Sequence, residues 1–322
     1  MISQQQEGES KSTPYFDATF QILGRLDSGE YSDVWKARDN QNDVSAIKKL
    51  KVSFMSWDHR WEQITEVEHL LKLQHSKHCV QLLNAWEQEG YLYLQMELCT
   101  RGSLERYIQL HHRKISHDII WDMMYEIALG VKDIHEQDLV HLDLKPSNLL
   151  IDNNGFIKIA DFGVSVQVPA DHKWVRGEGD RRYMAPDLLR EQFDKPADIF
   201  SLGMILLELA TGIVLPDEGE SWENLRLGDF SEMESSLLLV PEEMSNMIKW
   251  LLTAESASRP NIDAVLESDA FANRQVSDKG ILYQYVLQQS QETTSILFEQ
   301  EEDGNKCIGS QTIYSTPEAR VY

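Results

Sequence analysis

Hydrophobic and polar positions change rhythm along this chain. From Thr19 to Leu98, short apolar runs rich in β-branched and aromatic residues alternate with turn residues, which is the pattern of strands. Phe20-Gln21-Ile22-Leu23 opens the stretch, and Tyr31 to Ala37 and Val44 to Leu50 follow, joined by the turn-like Asp39-Asn40-Gln41-Asn42. One helix interrupts: Trp61, Ile64, Val67, Leu70 and Leu71 recur at helical spacing and predict an apolar face. Val80 to Trp86 and Tyr91 to Leu98 predict a hairpin turning near Glu89-Gly90. Beyond Thr100-Arg101-Gly102-Ser103 the rhythm becomes helical, with Ile119, Ile120, Met123, Met124, Ile127, Ala128, Val131 and Ile134 on one face. Strand fragments return at Leu149-Leu150-Ile151 and Ile157-Lys158-Ile159, and helices dominate from Ala197 to about Ala272.

These patterns predict an α+β fold of two lobes. A small β-rich N-lobe with one main helix covers 19–98, a hinge covers 97–102, and a larger helical C-lobe covers 103–272. Residues 1–18 are rich in Gln, Ser and Glu and predict a flexible leader. Residues 273–322 predict a mostly flexible acidic tail, within which Ile281-Leu282-Tyr283 is the segment suited to dock.

Composition narrows the classes. With 322 residues, 42% of them hydrophobic, the chain can bury a sizeable core. A formal charge of −23 argues against indiscriminate nucleic-acid binding. The three cysteines, Cys79, Cys99 and Cys307, are far apart and show no metal-ligand spacing, so a reducing compartment without disulfides is expected, the nucleus or cytoplasm. The opening MISQQQEGESKST has no apolar run, so no signal peptide is expected. The longest apolar stretch, Ile199 to Pro216, is broken by Ser201, Glu208 and Thr211 and reads as a buried helix; no membrane partner is expected.

The densest polar signal is His141-Leu142-Asp143-Leu144-Lys145-Pro146-Ser147-Asn148, followed by Asp161-Phe162-Gly163. Phosphoryl transfer asks little covalent work of a protein: it needs a carboxylate to orient the acceptor, metal ligands, and positive charge near the moving group. Asp143 can accept the proton of a substrate hydroxyl, Lys145 can reach the transferring phosphoryl group, and Asn148 and Asp161 can hold two magnesium ions. The bland alternative is a polar loop with chance residues. The joint spacing of Asp, Lys, Asn and the later Asp-Phe-Gly argues against it and resembles the protein kinase signature, which implies ATP and Mg2+.

Upstream elements complete that pattern. Leu26-Asp27-Ser28-Gly29-Glu30-Tyr31-Ser32-Asp33-Val34 lies between two strands, as a phosphate-covering loop should, but keeps only Gly29 and Val34 of G-x-G-x-x-G-x-V. Asp27 and Ser32 replace glycines, which predicts weakened or unusually shaped nucleotide binding. Lys48, in Ala46-Ile47-Lys48, stands where a kinase lysine meets the α- and β-phosphates, and Lys49 on the opposite strand face suits a solvated role. Glu66 is the expected partner of Lys48, with Glu62 and Glu68 as rivals. Leu26, Val34, Ala46, Met96, Leu150 and Ala160 can sandwich adenine, and backbone groups of Glu97 and Cys99 can bond its edge, although most of these apolar residues would be core in any fold. In the lower lobe Arg259 is expected to pair with Asp187 of Ala185-Pro186-Asp187, the shorter acid weakening or lengthening the contact, and Asp198 to brace the catalytic loop.

Ala85-Trp86-Glu87, Leu94-Gln95-Met96-Glu97-Leu98-Cys99, the His141 to Pro146 run, Glu178-Gly179-Asp180 and Lys195-Pro196-Ala197-Asp198-Ile199-Phe200-Ser201-Leu202-Gly203 together resemble the Wee-type cell-cycle kinases. So does Leu215-Pro216-Asp217…Trp222…Leu225-Arg226…Gly228-Asp229. The resemblance runs from about Phe20 to Phe271 and is nearest to fungal Wee and Mik members. The long N-terminal region of many Wee kinases and the membrane segment of Myt-type enzymes are not seen, so the chain reads as a fragment or a short member. The resemblance implies a substrate: the inhibitory tyrosine in the glycine-rich loop of a cyclin-dependent kinase in complex with cyclin, whose phosphorylation delays mitotic entry. Lys145-Pro146 is a serine/threonine pattern, but Asp180 stands where that pattern carries threonine after glycine. Asp180 is therefore expected to pair with Lys145, reshape the acceptor pocket and favour tyrosine. An ordinary serine/threonine kinase and a pseudokinase scaffold are the rival readings. Finally, Leu142 replaces the arginine that gathers an activating phosphate in many kinases. With pairing among Arg176, Arg181, Arg182, Glu178, Asp180 and Asp171, it predicts activity without phosphorylation of the segment between Asp161 and Asp187.

Overall fold

The computed structural model describes residues 13–53, 57–111, 115–169, 179–275 and 277–287. The strand-patterned region forms α1 (Tyr15–Thr19), β1 (Gln21–Ser28), β2 (Ser32–Arg38), β3 (Val44–Leu50), α2 (Trp57–Lys72), β4 (Leu82–Gln88) and β5 (Tyr91–Met96). The strands pair antiparallel in the order β1-β2-β3-β5-β4. Glu89 and Gly90 both take positive φ, 53° and 80°, in the two-residue turn that closes β4 onto β5.

Two expectations need correction here. The leader does not extend to residue 18: α1 packs Phe16 and Phe20, both buried, against Trp35, Trp86 and Tyr93. Aromatic burial anchors this short helix despite its polar surroundings. Nor is the buried face of α2 the apolar one. Leu71 is 55% exposed, while Gln63, Glu66, His69, Leu70 and Leu73 are buried. That polar stripe faces the cleft and the segment after Asp161, where it finds ionic and hydrogen-bonding partners.

The C-lobe holds α3 (Leu104–His111), α4 (His117–Glu136), the short strands β6 (Leu139–Val140), β7 (Leu149–Ile151), β8 (Ile157–Ile159) and β9 (Val166–Gln167), then α5 (Pro196–Thr211), α6 (Gly219–Leu227), α7 (Glu234–Leu237), α8 (Glu242–Leu251) and α9 (Ile262–Leu266). Ser116 caps α4 by accepting the Ile119 N–H, and the predicted face of α4 is buried from Ile120 to Ile134. The apolar stretch after Ile199 is helical only to Thr211, where Gly212 ends it at φ 66°. Among the described residues no helix is long and apolar enough to cross a membrane. Cys79 and Cys99 are free; Cys307 lies outside the described residues.

The tail docks further than Ile281-Leu282-Tyr283: Leu282, Tyr285 and Val286 are all buried. Gly155 and Gly280 make the seat, since a Cβ on Gly155 would lie 2.2 Å from the Tyr283 nitrogen and one on Gly280 would lie 2.1 Å from the Gly155 carbonyl carbon. Glu126 of α4 accepts the N–H groups of Ile157 and Ile281, tying the tail to the core.

Candidate active site

Strand register sets the first half of the site. Lys48 lies on β3 between Val34 of β2 and Leu94 of β5, and its buried ammonium donates to Glu66 Oε1 at 2.6 Å and Asp161 Oδ1 at 2.9 Å. Burial alone would lower the Lys48 pKa; the carboxylates of Asp161 and Glu66 outweigh it and raise it, so the lysine stays charged. The same charge holds Asp161 down to about 2. Glu68 is exposed, and the Glu62 side chain lies outside the described residues. Lys49, on the opposite face, sits over the rings of Tyr91 and Tyr93 rather than in open solvent.

The second half hangs from Asp198, at the start of α5. Its buried carboxylate accepts the N–H groups of His141 and Leu142 and the His135 Nε2–H, each at 2.9 Å. Burial alone would raise its pKa; the donors, His135 foremost, bring it below the usual carboxylate range. This clamp holds Leu142 at φ 66°, a backbone state costly for a leucine. His141 donates from Nε2 to the Ala160 carbonyl and accepts the Asp143 N–H at Nδ1. Asp143 is thereby aimed, and its Oδ2 meets the Lys145 ammonium at 2.8 Å and the Asn148 amide at 2.9 Å.

Asp143 Oδ1 accepts the backbone N–H of Asp180 at 2.8 Å. Gly179 makes this approach possible: a Cβ there would lie 2.5 Å from the Leu142 carbonyl oxygen. The expected Asp180–Lys145 pair does not form. Arg182, two residues on, presents its planar fork to the Asp180 carboxylate at 3.0 and 2.6 Å, while Lys145 is taken by Asp143. Asp180 consequently titrates below its ordinary value, the Arg182 bonds overcoming burial. Arg176, Glu178 and Asp171 lie outside the described residues.

Between the lobes a cleft of about 680 Å³ is lined by every residue expected there: Leu26, Gly29, Val34, Ala46, Lys48, Glu66, Met96, Glu97, Cys99, Leu150 and Ala160, with Lys145, Asn148 and Asp161. Asp143 and Asp180 are not among its lining residues. The Glu97 N–H is committed to the Gln81 carbonyl, which leaves the Glu97 carbonyl as its backbone group for a ligand edge. The Glu97 side chain turns to Lys158 at 2.8 Å, bracing the hinge from below.

Three features escaped the motif reading. Asp33 Oδ1 accepts from Arg25 and Ser28, while the Lys51 ammonium holds the Gly29 carbonyl at 2.6 Å, so charged pins secure the glycine-poor turn. The antiparallel pairing of Ser28 with Asp33 is the signal that could have found them. Arg226, buried at 3% exposure, donates to the carbonyls of Arg181 and Arg182 and lies 4.0 Å from the Trp222 ring centroid; Trp222 itself donates to the Arg181 carbonyl. Burial and neighbouring Arg181 push Arg226 down to about 9. The Trp222…Arg226 pattern therefore builds a platform under the segment that carries Asp180. The Asp187–Arg259 contact is full length at 2.7 Å but uses one oxygen; Asp187 Oδ1 finds no partner among the described residues.

Residues 20–271 match the protein kinase domain family. The chain is similar to the mitosis inhibitor protein kinase wee1 of Schizosaccharomyces pombe, 38% identical over 284 residues that cover 81% of this chain and 32% of that protein. It is similar to the membrane-associated tyrosine- and threonine-specific cdc2-inhibitory kinase of Drosophila melanogaster, 34% identical over 288 residues covering 89% of this chain and 53% of that one. A "Probable protein kinase" of Dictyostelium discoideum is 35% identical over 271 residues, 81% of this chain and 75% of that one. The chain thus spans about a third to a half of the length of the first two relatives.

Proposed function

The chain belongs to the protein kinase family, in its Wee-type group, and from that premise we propose that it transfers the γ-phosphoryl group of ATP to the inhibitory tyrosine in the glycine-rich loop of a cyclin-dependent kinase bound to cyclin, delaying mitotic entry. That substrate puts it in the nucleus or cytoplasm. The functional domain is taken as 15–286, the kinase lobes with α1 and the docked tail segment.

The observation that carries this reading is the acceptor end of the site: Asp143 held by His141, Lys145 and Asn148, with the Asp180 N–H on its other oxygen. Asp143 orients the hydroxyl and takes its proton, and Lys145 offers positive charge to the moving group. Lys48, fixed by Glu66, holds the α- and β-phosphates, and Leu26, Val34, Ala46, Met96 and Leu150 enclose adenine beside the backbone of Glu97 and Cys99. Gly29 lines the cleft from the turn and lets the backbone approach the phosphates.

The donor set suits Mg2+. Asn148 and Asp161 both line the cleft and offer hard oxygens, the donors that Mg2+ takes beside phosphate oxygens and water. Bound there, the metal would neutralise charge on the phosphates. Asp161, charged and half-exposed, remains available to it.

Asp180 supports tyrosine over serine because it places a backbone N–H, and no threonine hydroxyl, on Asp143. A serine/threonine enzyme keeps one argument, Lys145-Pro146. Leu142 is buried and cannot anchor an activating phosphate, and Ser165 is buried with its hydroxyl committed to the Phe162 carbonyl, so activity without phosphorylation of the segment between Asp161 and Asp187 follows. The test is a pair of peptides differing only in Tyr or Ser at the acceptor: preference for Tyr supports the reading, and preference for Ser overturns it.

A further inference from the structure

We propose that Tyr31 is a phosphorylation site through which one copy of this kinase restrains another. The proposal rests on the tyrosine-directed reading above and extends it to the chain's own glycine-rich turn.

An acceptor hydroxyl must leave its own fold to reach an Asp143. Among the described tyrosines, Tyr93, Tyr107, Tyr183 and Tyr285 are buried, and Tyr91, Tyr125 and Tyr283 are half-buried. Tyr15 is 48% exposed, but its ring stands edge-on to Phe20 and Trp86. Tyr31 is 65% exposed, and its side chain makes no hydrogen bond or ring contact with a described residue. Of these tyrosines it is the one ready to enter a foreign active site without unpacking anything.

The backbone beneath it is fixed. The Tyr31 carbonyl accepts the Lys51 N–H at 2.9 Å, the Gly29 N–H donates to the Ser32 carbonyl at 3.0 Å, and the Lys51 ammonium holds the Gly29 carbonyl. A turn pinned on both sides, roofing the cleft from the N-lobe, cannot fold back to an Asp143 on the C-lobe. The enzyme that modifies Tyr31 is a second copy. The step needs only ATP: Tyr31 Oη bonds the γ-phosphorus, the bond to the β-bridging oxygen breaks, ADP leaves, and the phenolic proton passes to Asp143 of the acting copy.

The product adds nearly two negative charges to a turn that already carries Asp27, Glu30 and Asp33. The nearby cations, Arg25 and Lys51, are both engaged with Asp33. Phosphate at Tyr31 therefore repels the ATP phosphates, or draws Lys51 away from the Gly29 carbonyl it pins; both weaken nucleotide binding.

The experiment mixes phosphatase-treated active enzyme with an Asp143→Asn copy and magnesium–ATP, maps phosphotyrosine by mass spectrometry, and follows phosphorylation of a tyrosine peptide in parallel. The expected result is phosphate on Tyr31 of the inactive copy, accumulating in proportion to active enzyme. As Tyr31 is modified in active enzyme, the KM for ATP should rise several-fold over the incubation; Tyr31→Phe should hold its own starting KM throughout. Unmodified Tyr31 beside a phosphorylated peptide overturns the proposal and leaves the tyrosine-directed reading standing. Modified Tyr31 with unchanged KM overturns the restraint. Failure of the peptide as well removes the tyrosine-directed reading itself.

Discussion

Asp180 donates its backbone N–H to Asp143 at 2.8 Å and turns its carboxylate away to Arg182. The carboxylate proposed to orient the acceptor is thus steadied by main chain, which no side-chain substitution short of proline removes. Asp143→Asn keeps this bond but sets an amide against the Lys145 ammonium and the Asn148 amide. Turnover should fall about 10³-fold, within the range for loss of a general base. ATP affinity, read by calorimetry, should stay within about twofold, since Asp143 does not line the cleft. Near-normal turnover would remove Asp143 from its role.

Lys48→Arg should inactivate the enzyme by about 10²-fold or more, because a planar guanidinium cannot occupy a buried site shaped around an ammonium bonded to Glu66 and Asp161. Turnover and nucleotide affinity measured together check it: wild-type values in this variant would shift the phosphate-binding role to another lysine.

Arg226→Met should loosen the carbonyls of Arg181 and Arg182 and, with them, the segment carrying Asp180. The expected signature is a peptide KM raised about tenfold with the KM for ATP unchanged, as for loss of a single buried charged donor. Arg226→Lys should recover part of it. Equal changes in both KM values would mark a general folding defect instead.

Glu126, buried under the docked tail, is pushed up to about 7 by desolvation against the lowering pull of the Ile157 and Ile281 N–H groups. A folded value above the ordinary 4.5 means its contribution is full below that pH and is lost as pH rises through about 7. Glu126→Gln removes this slope, so the stability difference between the two proteins should change by on the order of 2–3 kcal/mol between pH 4.5 and 7.5. His69, pushed down to about 4 by burial and Lys72, slopes the opposite way between 6.5 and 4, so the difference rather than the wild-type curve carries the test. Thermal melts across that range check it; a flat difference contradicts it.

The proposed catalytic set was legible as a cluster because phosphoryl transfer restricts both residue type and spacing, and the fold brings Asp143 to Asn148 and Asn148 to the cleft shared with Asp161. Strands β2 and β3 were legible too, as apolar runs separated by the turn residues 39–42. What escaped was held by contacts that periodicity does not encode. The buried face of α2 is polar because Glu66 and His69 meet partners from other elements. Asp180 sits beside a nearer partner than Lys145, and only the turn at 180–182 reveals it. Arg226 is buried among carbonyls, where its charge gives no hydropathy signal. The Gly155–Gly280 seat depends on two glycines 125 positions apart.

The most direct test uses enzyme made in bacteria, treated with phosphatase and confirmed unmodified by intact mass. It is incubated with a cyclin-dependent kinase–cyclin complex and magnesium–ATP, and the phosphorylated residue is mapped. Phosphate on the tyrosine of the partner kinase's glycine-rich loop, with the complex losing activity, is the predicted result. Phosphate on serine or threonine alone, or none while the enzyme turns over other proteins, would contradict it.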